Sequence, residues 1–206
     1  MDMATIISVI SLLVAAATFF LTQLRAARIT SYVGPTATLG YVSTGGFGIA
    51  LPVTFTNHGA RTGAALRSGI TLWRKDSPQD RYFMQWASFV KQNFETNQWM
   101  NDEAAHTLAI PGKSVVAKVI QFIWFPTSQP QIVFREGTYC LSFHYWTDER
   151  HPHGKTQEVV ITADSVKLLD APAATSTRTI SVTLDETITI NKHMNEFDFK
   201  KLIEGS

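Results

Sequence analysis

Residues 47–57 read FGIALPVTFTN. Phe47, Ile49, Leu51, Val53 and Phe55 recur at every second position, the period of a strand with one face in a core. Pro52 has no N–H to give a ladder and points to an edge strand or a bulge. Asn57-His58-Gly59 then breaks the run. The alternation recurs along the chain. Residues 114–125 (SVVAKVIQFIWF) carry the strongest strand signal. Tyr139, Leu141, Phe143 and Tyr145 share a face within 138–147, and Leu66, Ile70 and Leu72 do so within 64–75. Residues 36–43, 81–90 and 156–163 read as further strands, with short ones at 30–33 and 131–134. A short helix fits 164–169. Residues 91–107 (KQNFETNQWMNDEAAHT) lack the alternation and are expected to form a long surface loop with a helical turn at 101–106.

Seven or more strands, turn signals at roughly ten-residue spacing and no alternating long helices predict an antiparallel β-sandwich. Residues 134–141 (FREGTYCL) resemble the penultimate strand of immunoglobulin-like and fibronectin-type-III-like sandwiches, where a Gly-x-Tyr entry, here Gly137-Thr138-Tyr139, sets a tyrosine at a sheet corner. The resemblance implies a mainly β chain with an immunoglobulin-like sandwich. It is one of architecture, because the single cysteine, Cys140, leaves no cysteine pair of the antibody kind. A membrane helix followed by a sandwich is also similar to uncharacterised bacterial membrane-anchored proteins, a likeness that implies no activity.

Residues 4–24 (ATIISVISLLVAAATFFLTQL) contain no Asp, Glu, Lys, Arg, Gly or Pro. As a helix they reach roughly 31 Å, about the thickness of a bilayer's hydrocarbon. The alternatives are a cleaved signal peptide, which the acidic leader Met1-Asp2-Met3 and the long apolar run disfavour, and a buried soluble helix. Arg25 and Arg28 follow the run and nothing basic precedes it but the terminal amine, so positively charged flanks predict an outer N-terminus and a cytoplasmic domain at the inner membrane. One cysteine suits a reducing compartment without excluding a periplasm. Ala4, Ser8, Ser11, Ala15, Thr18 and Thr22 follow at steps of three and four and fall within an arc of about 80°. Small and hydroxyl residues on one face suit close approach to a partner helix, although a hydroxyl can also turn back to its own backbone.

Three parts are expected: an anchor and basic flank at 1–28, the β domain at 29–170, and a linker, extra strand and charged tail at 171–206. In 178–190, Ile180, Val182 and Leu184 share a face that pairs within the same sheet or is offered to a partner. Trp99 and Met100, in a polar stretch, form a second candidate contact. Net charge is +1 with no run of three basic residues, which argues against a nucleic-acid partner.

The residues offer no catalytic constellation. His151-Pro152-His153 with His144 is the best metal candidate, yet it reads better as a solvated turn. Cys140 sits mid-strand without a basic neighbour and reads as a small hydrophobe. Gly45-Gly46-x-Gly48 leads into a strand rather than the helix a phosphate loop needs. The expectation is a non-enzymatic, cofactor-free, single-pass membrane protein binding another membrane protein or itself. The alternatives are a tethered glycan binder using exposed aromatics and an enzyme built from scattered loops.

Overall fold

A computed structural model describes residues 2–41, 45–93, 98–148, 150–170 and 179–184. The expected linker, turn residue Thr44 and charged tail lie outside these residues. Helix α1 (Met3–Phe19) is followed by a π-helical turn (Phe20–Leu24). The strands are β1 (Ile29–Val33), β2 (Thr36–Tyr41), β3 (Phe47–Asn57), β4 (Gly63–Ala65), β5 (Arg67–Arg74), β6 (Ser77–Asn93), β7 (Gln98–Ala104), β8 (Leu108–Ile110), β9 (Val115–Trp124), β10 (Gly137–Trp146) and β11 (Pro152–Ile161). Helix α2 (Ala163–Asp170) and strand β12 (Thr179–Thr183) complete the described chain.

The chain is mainly β and antiparallel, with an N-terminal apolar helix. Its main sheet runs β11-β10-β5-β6-β9-β3-β2-β12, with β1 also on β3 and β7 on β6, while β4 and β8 pair separately. Two separate immunoglobulin-like sheets are not what the hydrogen bonds draw. Strand β6 belongs to both halves: Ser77 and residues 81–85 pair with β5, and from Trp86 onward, across a register shift between Trp86 and Ser88, the strand pairs with β9. The sheet therefore stays continuous and curls into a half-barrel. Curling brings aromatics of the two halves together inside. Phe143 of β10 lies 6.3 Å from both Phe55 of β3 and Phe122 of β9, and Tyr145 lies 5.5 Å from Phe55. The alternating residues of 47–57 are all buried there.

Three expectations need correction. Residues 91–93 and 98–104 are strand, not loop or helical turn: β6 continues to Asn93 and β7 returns along it. This hairpin stretches beyond the core, so ion pairs such as Lys91–Asp102 (2.8 Å) replace the buried face that alternation would reveal. Pro52 is not on an edge, for β3 is central. It falls where β3 changes partner from β1, which ends at Val33↔Val53, to β2, which starts at Thr38↔Ala50, so no ladder donor is missed. Residues 131–134 form no strand, although Ile132 and Phe134 are buried. At the entry to β10, the Tyr139 hydroxyl accepts from the Arg135 N–H (2.9 Å) and donates to the Arg135 carbonyl (3.2 Å), tying the corner where the chain enters the strand.

The helical segment Met3–Leu24 is 22 residues long and apolar enough to cross a membrane. All of it is exposed. Asp2 caps it, accepting from the Thr5 N–H at 2.9 Å and from the Thr5 hydroxyl. Those bonds hold the Asp2 carboxyl below its ordinary range.

Candidate membrane and partner interface

The residues after the apolar helix are tied to the domain by backbone bonds. The Arg25 carbonyl accepts N–H groups of Ala60 (2.9 Å) and Arg61 (3.1 Å), and the Arg28 carbonyl accepts that of His58 (2.9 Å). Asn57, the last residue of β3 and 1% exposed, organises the junction. Its Oδ1 accepts from Arg28 N–H (3.2 Å) and Gly59 N–H (2.9 Å). Its Nδ2 donates to the carbonyls of Arg61 (2.9 Å) and Ile110 (3.0 Å). A primary amide on a short stem offers two N–H donors and a carbonyl acceptor together, and all are used here. The backbones here approach so closely that a Cβ on Gly59 would lie 2.0 Å from the Ala26 oxygen, and one on Gly112 1.8 Å from the Ala60 oxygen. The Lys113 N–H closes the set on the Gly59 carbonyl (2.8 Å). Linker 25–28, loop 57–63 and loop 110–114 thus interlock directly below the helix.

On that helix, Ala4, Ser8, Ser11, Ala15 and Thr18 keep α-helical spacing and are exposed, with none of the described residues of the domain covering them. Thr22 lies in the wider π turn, and its hydroxyl donates to the Thr18 carbonyl at 2.7 Å. The domain's own candidates fare differently. Ile180, Val182 and Leu184 are 7%, 6% and 4% exposed, because β12 pairs with β2 and turns them into the core. That face is occupied by the chain itself and is not offered to a partner. Trp99 and Met100 are neighbours in β7, so their side chains point to opposite faces of the hairpin and do not form one patch. Met100 is exposed and Trp99 half-buried.

Comparison with family models, curated proteins and solved structures found no match.

The histidines do not converge. His144 lies opposite Gly154 and Tyr145 opposite His153, so the two imidazoles face opposite sides of the sheet. Asp148 caps its own turn, accepting from the N–H groups of Arg150 (2.8 Å) and His151 (3.0 Å), and the bonds to His151 and Arg150 hold its carboxyl low. Among the described residues no three His, Cys, Asp or Glu side chains stand where they can hold a metal. Cys140 is buried between Trp73 and Glu158 in the ladder, and burial pushes its thiol up, away from the reactive thiolate.

An aromatic face lies on the outside of β5, β6 and β10; of its members, sequence reasoning considered Trp73 and Trp146 as sheet-face aromatics but not Phe83 or its grouping with His144. The Phe83 ring covers Gly69, where a Cβ would meet it at 2.7 Å. His144 lies 6.4 Å from Phe83 and 6.3 Å from Trp146. Arg81 stands over Trp73 at 5.0 Å and Arg67 over Trp146 at 4.6 Å. Thr71 joins His144 at 2.9 Å, and Thr156 donates to Ser142 at 3.0 Å. The signal was present in the other parity of 138–147, where Cys140, His144 and Trp146 alternate with the core residues.

Proposed function

We propose that this chain is a non-enzymatic, single-pass membrane protein whose β domain makes protein–protein contacts, as an accessory or assembly subunit of a membrane complex. The observation that carries the reading is the Asn57 junction. It fixes the domain to the end of an exposed, membrane-length helix, so a partner gripped by the helix meets the domain in a set position. The proposed site is the inner membrane, with the N-terminus outside and the domain cytoplasmic, on the strength of Arg25 and Arg28. The Tyr139 corner supports an immunoglobulin-like kinship for that strand.

The test is co-purification in mild detergent with the helix face varied. Ser11→Leu with Ala15→Leu forces helix backbones apart and is expected to abolish co-purification or helix crosslinking. Ile10→Phe with Leu13→Phe, on the opposite face, is expected to change little, since lipid accepts any apolar shape. Equal loss or equal retention in the two variants sinks the packing face.

A tethered ligand binder is the second reading, favoured by the aromatic face around Phe83 and its neighbouring hydroxyls. A phosphatase reporter fused after Ser206 separates the two. The first reading expects an inactive reporter, held inside the cell. Strong activity reverses the topology and favours a glycan ligand.

A further inference from the structure

We propose that Arg25, Arg28, Arg61 and Lys113 form a basic collar that binds the anionic headgroups of the lipid surface in which the helix is anchored. The proposal rests on reading Met3–Leu24 as a membrane span. Arg25 is the first residue beyond that span. The polar layer on each side of the hydrocarbon is about 5–7 Å deep. Arg61 cannot leave that layer by much, because its N–H is bonded to the Arg25 carbonyl at 3.1 Å. Lys113 follows one bond further on, through Gly59, whose own backbone is locked against Ala26. The collar is therefore assembled from three distant segments, and its depth is set by hydrogen bonds rather than by the tilt of the helix.

Charge agrees with position. All four side chains are exposed. None of residues 25–33, 57–67 or 108–118 is Asp or Glu. Among the described residues the ion pairs engage other cations, namely Arg74, Lys75, Lys91, His106, Lys118 and Lys167. The four collar cations are left for an external anion. His58, also exposed on the same loop, adds a hydrogen-bonding group there. A junction held by these backbone bonds fixes where the cations emerge, so little loop entropy is lost on binding and the ordering cost falls on the side chains themselves.

The experiment uses the full chain in nanodiscs of phosphatidylcholine alone or mixed with phosphatidylglycerol, and follows amide exchange at Ala60, Arg61 and Lys113. These hydrogen-bonded amides exchange when the junction opens, and a lipid that binds the closed form slows them. A cation at an anionic surface is worth about fivefold, so Arg61 and Lys113 together give roughly 25-fold slower exchange in the mixed discs. High salt should erase the difference. Arg61→Gln with Lys113→Gln should erase most of it, while Arg61→Lys with Lys113→Arg should retain it, which separates lost charge from a damaged fold. Equal exchange in both lipids, with the chain inserted, overturns the collar and leaves the anchor standing. Failure of the chain to enter discs or float with vesicles ends the span reading and the collar with it. Inorganic phosphate reproducing the slowing in phosphatidylcholine discs assigns the patch to a free anion and overturns the lipid proposal.

Discussion

Asn57→Ala is expected to destabilise the domain by about 3 kcal/mol. The substitution removes no large apolar surface. It strips four backbone groups, on Arg28, Gly59, Arg61 and Ile110, of their side-chain partner. Buried groups left unmatched cost more than the bonds they lose. The bonds to Arg28 and Arg61 are only partly buried, so the sum stays below four full penalties. Denaturant unfolding of the detergent-solubilised chain measures the change, with His58→Ala beside it. His58 makes one exposed side-chain contact, to Thr30 at 3.0 Å, so its loss is expected to cost about 0.5 kcal/mol or less. Asn57→Ala behaving like His58→Ala would mean that the backbone bonds of the linker hold without their organiser.

Phe143→Ala is expected to cost about 4 kcal/mol. Phe143 is 1% exposed and stacks on Tyr145 at 19° and 6.0 Å while touching Phe55 and Phe122 from the other half of the sheet. Its removal leaves a cavity walled by rings on separate strands, which cannot all move inward at once. The comparison is Phe83→Ala, on the outer face and 45% exposed, expected to cost about 1 kcal/mol. If the two variants unfold at the same denaturant concentration, the halves are not packed through Phe143.

The strands that line the core were legible in the sequence because burial follows parity. Phe47, Ile49, Leu51, Val53 and Phe55 alternate in sequence and are all buried in fact. The rest was hidden for separable reasons. Strand β7 has solvent on both sides over much of its length, and Lys118–Glu103 (3.3 Å) and Lys91–Asp102 stand in for apolar cross-strand pairs. Parity also says which face a residue takes but not which strand it meets. Residues 81–90 read as one strand, yet nothing in their alternation says that 81–85 pair with β5 while 86–90 pair with β9, which is what joins the two halves of the sheet. The junction was least legible. Its bonds are mostly backbone to backbone, and the one side chain that coordinates them, Asn57, appeared only as part of a turn signal.

The placement of β12 bears on how the molecule is made. Thr36 pairs with Thr183 and Gly40 with Thr179, so one edge of β2 waits for residues synthesised more than a hundred positions later. Its other partner, β3, arrives almost at once. Until translation reaches β12, the nascent domain carries an open strand beside the uncovered side chains of Ala37 and Leu39, both nearly inaccessible in the finished fold. Such an edge is where nascent chains join one another wrongly. On the membrane reading proposed above, a chain inserted by its first helix would spend that interval spaced along a bilayer, away from the crowd of the ribosome's other products. The helix would then act as a tether during biogenesis, and the late strand as the clasp that ends the exposure.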